Sequence, residues 1–325
     1  MKITVKLLVV SCLFLLSCQS ISISKSEIIT TDNLPSARHE CGFVEANGLF
    51  YLIGGRKIKP VDIFKAKTNT WSQGAKPPIE IHHFQAVTYD DDIYIIGAMT
   101  GKYPHEKPLD KILIYQTKHN KWIWGDTIPE NRRRGSAGVV VKGDLAYVVC
   151  GITDGHWSGH VSWIDTYNFK TGEWKILKDA PRPRDHFHAV IHQNKIYCAS
   201  GRNSSAKTKQ TFNLTISEVD VFDIEKNIWI TLPKEANLPT KRAGASSIIK
   251  NGQLFVIGGE SAAQKMAHNQ IEILDLSTNT WQSLIQLKRG RHGTQSILYK
   301  NKIYIAAGSG NRGGKPELSS LEIID

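Results

Sequence analysis

Arginine and histidine recur in this chain in short clusters: Arg38-His39, His82-His83, Arg132-Arg133-Arg134, Arg184-Asp185-His186-Phe187-His188, Arg242 and Arg291-His292. A guanidinium is a planar fork of donors that matches a carboxylate, sulfate or phosphate. Such clusters, brought to one opening, would hold a small or chain-like anion, a carbohydrate, or an acidic segment of a protein. Further polar side chains of the same kind are His156, His160, Arg202, Asn203, Glu260, His268, Asn311 and Arg312. His186 and His188 alternate along one strand-like stretch and could share a metal with Asp185 and His83. No spacing among them is diagnostic, so neither a metal nor a cofactor is expected.

The elements that must position these groups repeat. An apolar run that halts at glycine occurs six times: Phe50 to Gly55, Ile93 to Gly97, Ala146 to Gly151, Ile196 to Gly201, Leu254 to Gly259 and Ile303 to Gly308. β-Branched and aromatic runs of this length, ended by glycine, predict strands buried on both faces. A tryptophan follows a polar turn at Trp71, Trp122, Trp174, Trp229 and Trp281. Five tryptophans serve six runs, because the chain stops at Leu321 to Asp325 with no fourth strand after it. The stretch Ile28 to Pro35 stands before the first run and reads as the tail of that missing strand. The N-terminal strand is therefore expected to complete the last unit.

The glycine runs, the tyrosine-rich second strands and the spaced tryptophans together resemble Kelch repeats over residues 27–325. That resemblance implies an all-β fold, a six-bladed β-propeller of four-stranded blades around a channel, closed by the N-terminal strand. Units one and five keep a Gly-Gly pair; Ala98, Ile152, Arg202 and Ser309 read as replacing the second glycine in the others. Turns such as Asn47-Gly48 and Asn251-Gly252 are tight and fall at one end of the blades. The long loops Met99 to Asp110, Ile152 to Val161, Arg202 to Thr215, Glu260 to Gln270 and Ser309 to Leu318 collect at the other. Loops on a rigid scaffold carry binding, so the Arg and His clusters are expected to ring the channel mouth at that end.

An enzyme resemblance is narrower. Bacterial sialic acid mutarotases (N-acetylneuraminate epimerases) are six-bladed Kelch propellers with a glutamate just after a glycine at the end of a second strand, and Gly258-Gly259-Glu260 is similar. The resemblance implies a carboxylate base at the anomeric hydroxyl and a cation on the sugar carboxylate. The arginine it places six residues later is Met266 here, with Lys265 adjacent; Glu218 is a second acid on the same face. A scaffold that only docks other proteins is the third reading, since fold alone does not define function.

Met1 to Lys6 is a short basic region and Leu7 to Leu16 an apolar stretch too short to span a bilayer. Leu15-Leu16-Ser17-Cys18 resembles the lipobox of bacterial lipoproteins. This implies a leader over residues 1–17, lipidation at Cys18, a tether over 18–26, and an exported monomer facing the periplasm or cell surface. The only membrane contact expected is the lipid. The formal charge is +11, two units lower without Lys2 and Lys6, a balance that favours anionic partners; export argues against nucleic acid. Cys41, Cys150 and Cys198 show no metal spacing. Cys150 and Cys198 read as small buried hydrophobes, the alternative being a disulfide between them.

Overall fold

The computed structural model describes residues 25–325, in which six four-stranded antiparallel blades surround one axis. Blade 1 runs Cys41–Ala46, Leu49–Gly54, Asp62–Lys65 and Thr70–Gln73, from the axis outwards. Blades 2 to 5 repeat that order, starting at Ala86, Gly138, Ala189 and Ser246. Blade 6 takes Ser296–Tyr299, Lys302–Ala306 and Leu321–Ile324 from the C-terminus and Ser26–Ile28 from the N-terminus, with Glu27 opposite Ile323. The expected closure is present, beginning at Ser26. Asn33 then clamps the next blade: its Nδ2 donates to the Trp71 carbonyl at 2.7 Å and its Oδ1 accepts from the Trp71 N–H at 2.9 Å.

The core lies between blades, because each sheet buries both faces against its neighbours. Tyr51 and Ile53 of blade 1 meet Ile93, Ile95 and Leu113 of blade 2, and Phe43, Phe50 and Phe64 meet Tyr304 and Leu321 of blade 6. Each such side chain contributes about 1.5–3 kcal/mol on burial. The outer-strand tryptophans tie successive blades: indole N–H groups of Trp122, Trp229 and Trp281 donate to the carbonyls of Ala75, Lys178 and Ala236. Cys41, Cys150 and Cys198 are free and buried, so no disulfide joins Cys150 to Cys198.

The glycine frame differs from the sequence reading by one residue in three blades. Two consecutive left-handed positions end each second strand of blades 1 and 3 to 6. The first has φ between 53° and 70° and holds Gly54, Cys150, Ser200, Gly258 and Ala307; the second has φ between 89° and 117° and is always glycine. At Gly259 a Cβ would lie 3.0 Å from the Ala243 carbonyl oxygen. The first position is the ordinary αL well, which other residues enter at modest cost; the second lies outside it. Ile152, Arg202 and Ser309 therefore follow the pair, as Arg56 and Glu260 do, and do not replace a glycine.

Five of the cluster arginines hold blades together from inside. Arg38, Arg134, Arg184, Arg242 and Arg291 are almost wholly buried and pair with Asp62, Asp165, Asp220, Glu272 and Glu322 on the third strands. Arg134 and Asp165 are 2.6 Å apart. Most of the remaining guanidinium N–H groups go to carbonyls, as in Arg242 to Gly258 at 2.6 Å and Val256 at 3.0 Å. These five arginines are scaffold, which corrects their expected place in the ligand-contact ring. A buried acid at the head of the third strand turns each guanidinium into the blade and away from the channel. Blade 2 has Ile81 at the arginine position and Leu113 at the acid position, so both partners are replaced together.

Candidate functional site

Two residues beyond each of these positions the chain turns through the left-handed region beside the axis, at Glu40, His83, Ser136, His186, Gly244 and Gly293, with φ of 51–63°. Backbone hydrogen bonds run around this ring, from His83 to Glu40, Ser136 to His83 and Gly244 to His186. The throat there encloses only about 30 Å³. On the loop side it opens into a cavity of about 580 Å³; on the side of the tight turns an apolar vestibule of about 310 Å³ is lined by Val87, Val140, Ile191 and Ile297. A glutamine zipper closes the inner strands between them, with Gln85 bridging the Val139 and Ala189 N–H groups.

The large cavity is polar at its floor and aromatic at its wall. Arg202 and Glu260 follow the glycines of blades 4 and 5 and so arrive side by side, 2.6 Å apart. Glu260 also accepts from the Gly313 N–H at 2.7 Å and lies 3.3 Å from Nε2 of His292. Burial alone would raise its pKa, but His292, Arg202 and that N–H outweigh it and hold the carboxyl at about 2. Arg202 and Arg312 lie 5.3 and 5.8 Å from the Phe212 ring, packed by cation–π attraction. Asp185 is wholly buried, accepts from the backbone and hydroxyl of Ser204, and bonds Nδ1 of His186. Burial would raise its pKa; His186 and Arg202 lower it to about 2. His83 is driven well below its ordinary value by burial and by His82, His186 and His156 around it.

Of the expected contact residues, His39, His83, His156, Arg202, Glu260, His292 and Arg312 do line this cavity. His39 also bonds Glu317 at 2.8 Å. Asn311 sits at an adjoining recess, which shares His39, Arg56 and Lys315 with the cavity, and its carbonyl accepts from His292. His186 lines the throat beneath, and Asp185 acts through His186. Glu218 is not a lining residue; it pairs with Arg182 at 2.6 Å. Met266 is exposed and bridges Asn311, and the guanidinium beside Glu260 comes from Arg202.

Sequence reasoning missed Glu40, Arg56, Tyr103, Glu106, Phe212 and Lys315. Glu40 could have been found by aligning the units, since it stands where His83 and His186 stand. Arg56 follows Gly54-Gly55 as Glu260 follows Gly258-Gly259, so the same alignment would have found it. Glu106, which bonds both Arg56 and His156, has no repeat counterpart to reveal it.

Fold and site together define a six-bladed β-propeller with a polar, histidine-floored mouth on its loop face. The KLHDC2/KLHL20/DRC7 Kelch-repeats domain matches residues 8–201 and 86–308, and the chain belongs to the Kelch-repeat family. Kelch-like protein terF of Aspergillus terreus is 28% identical over 248 residues, which cover 74% of this chain and 52% of that protein. Human Kelch-like protein 23 is 24% identical over 71% of this chain and 39% of its own length. The chain thus spans about half or less of the length of these relatives. Among solved structures, YjhT superposes with a TM-score of 0.74 at 16% identity, over 89% of this chain and 95% of that one. At that identity the likeness is one of fold.

Proposed function

We propose that this chain is an exported, membrane-tethered Kelch propeller that binds a small anionic or carbohydrate ligand in the cavity on its loop face. The observation that carries this reading is the charge of the lining. Arg56, Arg202, Arg312 and Lys315 face Glu40 and Glu260, with the exposed ring of Tyr103 as an apolar wall for a sugar face. Arg202 is matched by Glu260 and Arg56 by Glu106, which leaves Arg312 and Lys315 at the rim for an incoming carboxylate or sulfate. The test is titration with acidic monosaccharides and a glycan array, comparing wild type with Arg312→Ala and Lys315→Ala. Loss of one charged hydrogen bond should weaken binding roughly 10–100-fold; absence of wild-type binding to any acidic glycan would sink the proposal. Binding of an envelope protein with no glycan binding would instead favour a protein-docking scaffold, which the fold also suits.

The tether reading rests on residues 1–18, which lie outside the described residues. Among the described residues no helix is long and apolar enough to cross a membrane. Cys18→Ser should move the protein from the membrane to the soluble fraction; retention at the membrane would refute lipid attachment.

A mutarotase reading is favoured by one observation, the Arg202 guanidinium placed against Glu260. The low pKa of Glu260 makes it a poor match for a base working near neutrality, so in this reading it orients the substrate. Accelerated anomer exchange of N-acetylneuraminate, seen by NMR and lost in Glu260→Gln, is the expected result; unaltered exchange with wild-type protein would end this reading.

A further inference from the structure

Three histidines from three different blades meet where the cavity narrows into the throat. His83 and His186 occupy equivalent left-handed positions before the inner strands of blades 2 and 4. His156 comes from the turn between Ile152–Asp154 and Ser158–His160, the short hairpin of blade 3. All three are buried, their ring centroids are 4.8–5.0 Å apart, and one nitrogen from each lies within 4.8 Å of the other two.

The outer nitrogens of these rings are already engaged, which determines what the inner ones can do. Nδ1 of His156 lies 3.1 Å from both oxygens of Glu106, and Nδ1 of His186 bonds Asp185. A carboxylate accepts, so both rings donate from Nδ1 and present Nε2 as a lone pair. Nδ1 of His83 lies 2.6 Å from Nδ1 of His82, whose Nε2 reaches the Gly101 carbonyl at 3.2 Å. The Arg56 guanidinium, which can only donate, lies 3.1 Å from that same Nε2, so the His82–His83 pair has two tautomers. The one with the His82 proton on Gly101 leaves Nε2 of His83 bare to take an ion. Nε2 of His186 is buried with no hydrogen-bond partner. Lone pairs on neighbouring rings cannot satisfy one another, and the buried Nε2 of His186 among them calls for an ion or a donor shared between the rings.

We propose that His83, His156 and His186 bind a divalent transition-metal ion, zinc by the donor set, at the floor of the cavity. Carboxylate-backed imidazoles are the arrangement that fixes the tautomer and raises the basicity of metal-binding histidines. Three nitrogens at ~2.1 Å from zinc in tetrahedral geometry stand roughly 3.4 Å apart, so the rings need close by only a small rotation. Glu40, 3.5 Å from Nε2 of His83, supplies negative charge beside the ion, as do Glu106 and Asp185 behind it. His83 and His156 line the cavity, so the fourth coordination position faces it, where a water or an oxygen of a bound ligand would complete the set. This proposal rests on the histidine geometry and not on the ligand reading, and its test uses the metal alone.

Tag-free protein, treated with chelator and dialysed, is titrated with zinc by calorimetry and with cobalt by visible absorption. One equivalent of zinc should bind, and cobalt should show ligand-field bands of a low-symmetry site. His156→Ala, on a loop whose loss leaves the blades intact, should weaken zinc at least about 100-fold, and Glu106→Gln roughly 10–100-fold. His156→Gln repeats the test with the side-chain volume largely kept. His105→Ala, an exposed histidine paired with Asp154 outside the cluster, should bind as wild type does. A thermal melt of each metal-free variant establishes that it is folded. Failure of folded wild type to bind at about 100 µM zinc, or equal binding by folded His156→Ala, would overturn the proposal.

Discussion

Arg242 shows how a residue type can be legible while its role is not. Its place beside an inner strand follows from the repeat, but the direction of its guanidinium depends on Glu272, thirty residues later on another strand. The same holds for the other four, whose acids lie 24 to 36 residues away. A buried pair is costly to halve and cheap to replace whole, because a lone charge keeps its desolvation cost without its partner. Blade 2 is a natural example of whole replacement, with Ile81 and Leu113. Arg242→Ala should therefore destabilise the propeller by about 3–5 kcal/mol, whereas Arg242→Ile with Glu272→Leu should recover most of that loss. Chemical denaturation of the three proteins measures both, and a double variant as unstable as the single one would contradict the scaffold role. The candidate site divides along the same line. His39, His83, His156, Arg202, Glu260, His292 and Arg312 could be picked out by type and by loop, whereas Glu106 and Phe212 could not, because they reach the cavity through irregular loops with no period to read.

At the scale of the element, the second strand and its glycine exit fix where Arg56, Arg202 and Glu260 emerge at the mouth. The six runs, their pairing and their turns were readable from β-branched periodicity, yet the frame within the glycine pair was not. A sequence shows which positions hold glycine but not which of two adjacent left-handed turns requires it. Blade 6 separates the two: Ala307 has φ 59° and Gly308 φ 89°. At Gly308 a Cβ would lie 2.7 Å from the His292 carbonyl oxygen, so an alanine there strains the backbone and pushes on the loop that carries His292. Gly308→Ala should cost about 1–3 kcal/mol, while Ala307→Gly should stay within about 1 kcal/mol of wild type. Equal melting temperatures for the two variants would show that the second position has no special demand. The displacement should also be felt at Glu260, since His292 is one of its partners. Ligand affinity, where a ligand is found, is thus expected to fall more in Gly308→Ala than in Ala307→Gly.

For the molecule as a whole, the ring must close, because an open blade leaves a strand edge and an apolar sheet face uncovered. Closure was legible from one arithmetic imbalance, five outer-strand tryptophans for six runs, together with a chain end that lacks a fourth strand. Ser26–Ile28 covers the edge of Leu321–Ile324, and the chain then crosses to blade 1, where Asn33 makes its two bonds to Trp71. The first and last described segments thus hold blades 6 and 1 together, and His39, Glu40, His292 and Lys315 come to the cavity from either side of that seam. Stability and site geometry should be lost together when the seam opens. Deleting residues 19–32 should lower the melting temperature by on the order of 5–10 °C, and Asn33→Ala by less, since it removes two hydrogen bonds and no strand. A synthetic peptide spanning residues 25–35, added to the truncated protein, should restore part of the loss by re-forming the strand. A truncated protein that melts as wild type does would show that blade 6 is stable with three strands and that closure is dispensable. If zinc binding follows the proposed histidines, it should survive the truncation better than ligand binding does. His83, His156 and His186 come from blades 2 to 4, across the ring from the seam.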